Sequence, residues 1–255
     1  MTVVQIQQER IGPTTKPAHR GAARKGLLLC GVLAPALYVA MLVAVPMQWE
    51  GYSSASQTVS ELSAIGAATR TRWVVLGSIY ALLTAAFALG VLESAGRSRA
   101  LRAAGGVLVA QSLVSLFWPP MHLRGTEPTL TDTMHIAFAM AWLLLMLTVI
   151  GFGAAALGRR FRLYSGATVA VFVVFGALTM PDGARIAANL PTPWVGVWER
   201  INIGASLLWL VVFAAALLRR PWCHRATDGG TSSPNASPRL APSLEATGYG
   251  GGLRS

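Results

Sequence analysis

The run Met134–Leu157, "MHIAFAMAWLLLMLTVIGFGAAAL", holds 24 residues without one Asp, Glu, Lys or Arg. A helix on a water-soluble domain needs a polar face, and this run has none. It has the length of roughly 17 to 25 residues that a helix needs to cross the hydrocarbon core of a bilayer. The whole 255-residue chain agrees, being 53% hydrophobic and only 12% charged, where soluble domains carry roughly 25% charged residues.

Five further apolar runs surround it: Gly26–Met47, Trp73–Leu92, Leu101–Trp118, Leu163–Met180 and Val195–Leu218. None shows the alternation of a barrel strand. In lipid each backbone amide must be satisfied within its own segment, so each run is expected to be a helix. The fold class expected is all-α, a polytopic transmembrane bundle of six helices. The third and fifth runs are the shortest. Gly105-Gly106 in the third, and Gly166 with Gly176 in the fifth, mark either close helix packing or the ordinary tolerance of membrane helices for glycine.

The flanks divide the chain into a basic, disordered N-terminus over residues 1–25, a six-helix domain over 26–218 and a disordered tail over 219–255. The tail, "ATDGGTSSPNASPRLAPSLEATGYGGGLRS" from Ala226, has no apolar periodicity and too little apolar surface to offset the entropy of ordering. The first run is too long for the roughly 7 to 15 residues of a signal-peptide core, and "VAVPMQ" makes a poor cleavage site. It is therefore read as a permanent span.

Basic residues set the expected orientation. Fourteen flank the ends that hold the two termini and the second and fourth connections, from Arg10 and Lys16 to Arg219, Arg220 and Arg225. Five lie on the other side: Arg70, Arg72, Arg124, Arg185 and Arg200. The positive-inside rule then places both N and C termini in the cytoplasm, in a cell inner (plasma) membrane. Glu50, Glu61, Glu127, Asp132, Asp182 and Glu199 all fall on the outer side. The net charge of +11 is thus concentrated on the cytoplasmic face, where it fits contact with anionic membrane lipids rather than nucleic acid. Cys30 and Cys223 face a reducing compartment, so no disulfide is expected. Asn235-Ala236-Ser237 matches a glycosylation pattern by chance on that side. Two lysines against nineteen arginines fit a high-GC bacterial genome.

Ionisable groups within or beside an apolar span are costly, so those present face a cavity or a partner. Here they gather on the outer side. "SSASQTVSELSAIGAA", from Ser53, reads as a short helix at the interface with Ser60, Ser63 and Ala67 along one side. "WPPMHLRGTEPTLTDTMH", Trp118 to His135, brings His122, Asp132 and His135 to the ends of two spans. Asp132 or Thr131 suits a helix N-cap. Short loops join antiparallel neighbours, so His122 and His135 are placed close together, as a hydrogen-bonded pair, as a proton-linked or substrate-binding pair, or with Glu61 or Asp182 as ligands for zinc. Glu199 and Arg200 are about 100° apart around a helix. Arg200 is expected to pair with Glu61 or Asp182, and Glu199 with a histidine or Arg72. The ligand-binding candidates are Ser60, Glu61, His122, His135, Glu199 and Arg200, with Asp132 and Asp182 as secondary ones.

The order of six spans, "SELSAIGA" after the first, "WPPMH" closing the third, a histidine opening the fourth and "WERIN" opening the sixth together resemble the bacterial membrane family called domain of unknown function 998. That family is distantly similar to the Frag and DRAM group of six-helix proteins. The resemblance covers residues 26–218, with Ser-Glu-Leu and Glu-Arg as its most specific parts, and implies fold and site location without an activity. The chain departs from it at "FWPPM".

The expected function is that of an integral membrane protein with an outward-facing polar pocket for a small or lipid-derived polar ligand. A membrane lipid hydrolase, with or without a metal, and a small transporter are the alternatives. No nucleophile elbow, paired metal motif or nucleotide-binding loop is present to assign catalytic residues or a cofactor.

Overall fold

The computed structural model describes the backbone of residues 16–220 and the side chains of residues 21–220. Expectations for residues 1–15 and 221–255, including the disordered tail, Cys223 and Asn235, lie outside the described residues. Six helices are present: α1 (Lys16–Ala44), α2 (Arg70–Ser94), α3 (Arg99–Leu116), α4 (Leu130–Ala156), α5 (Arg159–Ala187) and α6 (Val195–Leu218). All but α3 are long and apolar enough to cross a membrane, and the chain is a multi-pass membrane protein. α3 has 18 residues and carries Arg99 and Arg102 in its first turn. At 1.5 Å per residue it rises about 27 Å.

Helices adjacent in sequence pack side by side, and α1 also packs against α6, so the six close into a ring. α6 reaches across to touch α2 and α4 as well. One end of the ring is joined by short connections, residues 95–98 and 157–158, and carries the arginine-rich flanks. We call it the basic end. The other, the cap end, carries residues 45–69, 117–129 and 188–194.

The basic half is densely packed. Phe87, Trp209, Phe213, Leu101 and Ile150 are buried together, and α1 approaches α2 so closely that a Cβ at Gly90 would lie 2.9 Å from the backbone nitrogen of Leu28. Arg24 is buried there too. Its Nε donates to Ser94 Oγ (2.8 Å) and its Nη2 to the Leu217 carbonyl (3.0 Å), a last-turn carbonyl of α6 that also accepts the Arg220 N–H (3.2 Å). The Arg220 side chain donates likewise to the Ala156 carbonyl at the end of α4 (3.0 Å). Leu33, Val43, Leu82, Leu144 and Val173 are exposed on the outside of the ring, as suits an apolar solvent.

Several boundaries differ from those the apolar runs predict. Residues 16–25, expected to be disordered, belong to α1; the alanines, arginines and lysines in "KPAHRGAARK" are strong helix formers. α5 continues through Pro181 to Ala187, so Asp182 lies within the helix and not after it. The effective stop is Asn189, at φ 52, a left-handed residue of the kind that ends helices. Over residues 53–69 the expected interfacial helix reduces to one 3-10 turn, Ser60–Ser63, among turns and bends. The small polar residues there favour turns over a helix, and Gly66 adopts φ 92. Of the four glycines noted for packing only Gly105 is in close contact, against Leu92; Gly106, Gly166 and Gly176 have open space where a Cβ would be.

Candidate functional site

The cap end is held by charged side chains that bind the loop backbone. Glu61, 1% exposed, pairs with Arg124, whose Nε lies 2.8 Å and Nη2 2.7 Å from Glu61 Oε1. Gln57 Nε2 donates to Glu61 Oε2 (2.8 Å), and the Thr58 backbone N–H adds a longer bond (3.3 Å). Arg124 also reaches Thr192 Oγ1 (2.7 Å) and the Ser56 carbonyl (3.0 Å), tying three connections into one knot. Arg124 was not among the expected site residues.

Arg200 does not meet Glu61 or Asp182. Its Nη1 donates to the carbonyls of Ser54 (2.7 Å) and Gly196 (3.0 Å), and its Nη2 to the Tyr52 hydroxyl (2.9 Å). Tyr52 in turn donates to the Thr58 carbonyl (2.7 Å); burial pushes its phenol up to about 12. Gly196 permits this approach, because a Cβ there would lie 2.2 Å from the Gln57 oxygen. Asp182 has only Arg185, 3.9 Å away in the same helix. Glu199 binds neither a histidine nor Arg72: its Oε2 accepts the Val59 backbone N–H (2.6 Å), while Arg72 pairs with Gln48. The two neighbours diverge as a 100° helical step requires.

The histidines are separately engaged. His122 places its backbone N–H 2.7 Å from Asp132 Oδ1 and its Nδ1 3.0 Å from Oδ2. Asp132 also completes a capping box with Thr129 at the start of α4. Ile65 and His122 form a parallel bridge, with the Ile65 N–H 2.7 Å from the Met121 carbonyl. His135 Nδ1 lies 2.8 Å from the Pro119 carbonyl and 3.1 Å from Trp118 Nε1. By tautomer it gives a proton to the first or takes one from the second. The expected histidine pair is not formed, and the zinc set of His122 and His135 with Glu61 or Asp182 is not assembled. Among the described residues no group of three or more His, Cys, Asp or Glu is placed to hold a metal ion.

Beneath the knot lies a cavity of about 370 Å³. Its lining includes Val59, Ser60, Ser63, Trp118, Pro119 and Glu199, whereas Glu61, His122, His135 and Arg200 do not line it. Aromatic side chains supply much of its wall. Tyr38 stands edge-on to Trp73 (centroids 5.7 Å, 82°) and to Tyr80 (4.9 Å, 63°), and Trp118 and Trp142 face it from the α3–α4 side. Trp118 is fixed by its edge-on packing against His135 (5.3 Å, 87°). Trp142 is 12 residues into α4, so the cavity reaches about 18 Å down that helix. Exposed Val74 of α2 and Leu116 of α3 also line it, so it opens sideways between those helices.

Glu199 lines the cavity, and its Oε1 has no hydrogen-bond partner among the described residues. Sequence reasoning found Glu199 and Ser60 but missed the aromatic wall, because its five rings come from four separate segments and each alone reads as core or interface. Comparison with curated proteins and with solved structures gave no match. One family does match, over residues 32–216, which takes in α2 to α5, nearly all of α6 and the second half of α1 from Val32. The chain belongs to the family described as Protein of unknown function (DUF998).

Proposed function

We propose that the chain spans an inner (plasma) membrane six times, with both termini cytoplasmic, and that its cap-end cavity faces outward and binds a small or lipid-derived polar ligand. Six spans require α3 to cross with the rest. The alternating directions of the ring and the concentration of arginines at the basic end support that reading. The observation that carries the binding function is the pairing of depth with unsatisfied polarity: a carboxylate oxygen without a protein partner among the described residues, in a cavity walled by five aromatic rings. Polar groups so placed are costly unless something hydrogen-bonds them.

The knot of Glu61, Arg124 and Arg200 serves this function indirectly, by holding the loop that roofs the cavity. A hydrolase reading is less well supported. Ser60 lines the cavity, but neither histidine does, so no serine–histidine pair is formed there among the described residues. A transporter is the second reading, favoured by the depth of the cavity, and would add net flux to binding.

Gly77 offers the test, since it lines the cavity and a Cβ there meets no atom within 4 Å. Protein extracted in mild detergent should retain a bound species at about one equivalent by native mass spectrometry, and Gly77→Trp should expel it without loss of fold. Wild-type protein that binds nothing, or a variant that keeps the same adduct, would refute the reading. Reporter fusions after Arg102 and near Gly125 should fall on opposite sides of the membrane. The same side for both would remove α3 as a span.

A further inference from the structure

The binding reading above leaves the ligand's chemistry open, and the lining of the cavity narrows it. Two charged side chains line the cavity, Arg70 and Glu199. Arg70 is exposed at the first residue of α2, at the cap end. Glu199 is a full turn into α6, with Oε2 fixed on the Val59 N–H and Oε1 without a donor among the described residues. Arg200, the cation nearest in sequence, is turned away onto the Ser54 and Gly196 carbonyls and the Tyr52 hydroxyl. The inner part of the cavity therefore holds a carboxyl group and no cation of its own.

Around that carboxylate stand Tyr38, Trp73, Tyr80, Trp118 and Trp142. Three of these rings cross at steep angles, so the wall presents ring faces as well as edges. Ring faces carry negative quadrupole potential and attract cations, most strongly when water is excluded. A neutral polar ligand would donate a hydrogen bond to Oε1 but gain no charge attraction from the ring faces or the carboxylate. An anion would be repelled by both. A compact alkali cation would have to shed tightly held water, whereas an alkylammonium group is weakly hydrated and large enough to touch several rings.

Resting on the binding function proposed above, we infer that the cavity takes an organic ammonium group, held between the Glu199 carboxylate and the faces of these aromatic rings. The group belongs either to a free small cation or to a lipid headgroup. The sideways opening between Val74 and Leu116 admits the lipid, and Arg70 stands where a headgroup phosphate would be.

Three tryptophans line the cavity, so occupancy is read from intrinsic fluorescence. Choline, its neutral isostere 3,3-dimethylbutan-1-ol, and nanodiscs of phosphatidylcholine or phosphatidylglycerol are titrated against the full chain. Choline or phosphatidylcholine should change the emission saturably while the isostere and phosphatidylglycerol do not. Glu199→Gln, which keeps an acceptor for the Val59 N–H, should weaken binding at least about tenfold, the minimum expected from removing a unit charge in a partly dehydrated site. Should that variant misfold, Trp142→Leu, remote from the knot, should weaken binding through loss of a ring. Weakening of phosphatidylcholine binding by Arg70→Gln, with choline unaffected, identifies a lipid headgroup as the source, and binding of both probes unaffected by Arg70→Gln identifies a free cation. Equal binding of choline and the isostere, or of the two lipids, or no weakening in either cavity variant overturns the ammonium assignment while leaving the pocket. A failure of all probes to bind also overturns it, and the mass-spectrometric adduct then decides whether the binding function itself survives.

Discussion

Replacing Arg124 with alanine should be among the most damaging single changes at the cap end. It removes both bonds to Glu61 and those to Thr192 and the Ser56 carbonyl. Glu61, 1% exposed, is left buried without its cation. Breaking a buried pair by removing one member costs about 3 to 5 kcal/mol. Glu61 keeps Gln57 and Thr58 as donors, which favours the lower figure. For a domain of this size about 3 kcal/mol lowers the melting temperature by about 6 to 12 °C. The assay is thermal unfolding in detergent of the two single variants, Arg124→Ala and Glu61→Gln, and the double variant. Neutralising Glu61 in the Arg124→Ala background should cost far less than in the wild type, with a coupling of at least about 1 kcal/mol. Arg24→Ala, at the opposite end of the ring, should add to Glu61→Gln independently. If the losses at Arg124 and Glu61 add to within about 0.5 kcal/mol, the two groups do not depend on each other and the account of the knot is wrong.

Gly196→Ala should detach the loop over residues 54–57, because its Cβ would lie 2.2 Å and 2.4 Å from the Gln57 and Ser54 carbonyl oxygens; limited proteolysis should cut there in the variant and spare the parent. Gly106→Ala, where a Cβ meets nothing within 4 Å, should instead be neutral or stabilising by up to about 1 kcal/mol through helix propensity, seen as an unchanged or higher melting temperature. Tyr52, raised to about 12 by burial, should stay protonated through pH 10 to 11 in a difference titration of wild type against Tyr52→Phe. A folded value above the unfolded one means that its contribution is complete below pH 10 and fades as the pH rises through about 12, so Tyr52→Phe should flatten alkaline destabilisation in that window.

The helices were legible because each is an almost unbroken apolar run, a property that survives without any knowledge of neighbours. Their ends were less so. Pro181-Asp182-Gly183 reads as a terminus, but one proline removes only one N–H from a ladder that the residues after it resume, and the helix ends at the left-handed Asn189. The polar residues lie at the cap end with partners other than those expected. Glu61 could be matched with any cation on its side of the membrane, and spacing along the chain holds no information on whether Arg124 or Arg200 arrives. The aromatic wall was hidden for the same reason: Tyr38, Trp73, Tyr80, Trp118 and Trp142 become one surface only when the ring closes.

Arg124 and Arg200 grip the loop between α1 and α2 by the carbonyl oxygens of Ser54, Ser56 and Gln57. A carbonyl is the same atom in every residue type, so the grip is indifferent to which side chains the loop carries at 54–56. It is not indifferent to how many residues there are, since one added or lost would shift each carbonyl off its guanidinium. Variation here should therefore follow an unusual rule, free in spelling and strict in length. A redesigned roof over the cavity can be rewritten in place, but it cannot be lengthened.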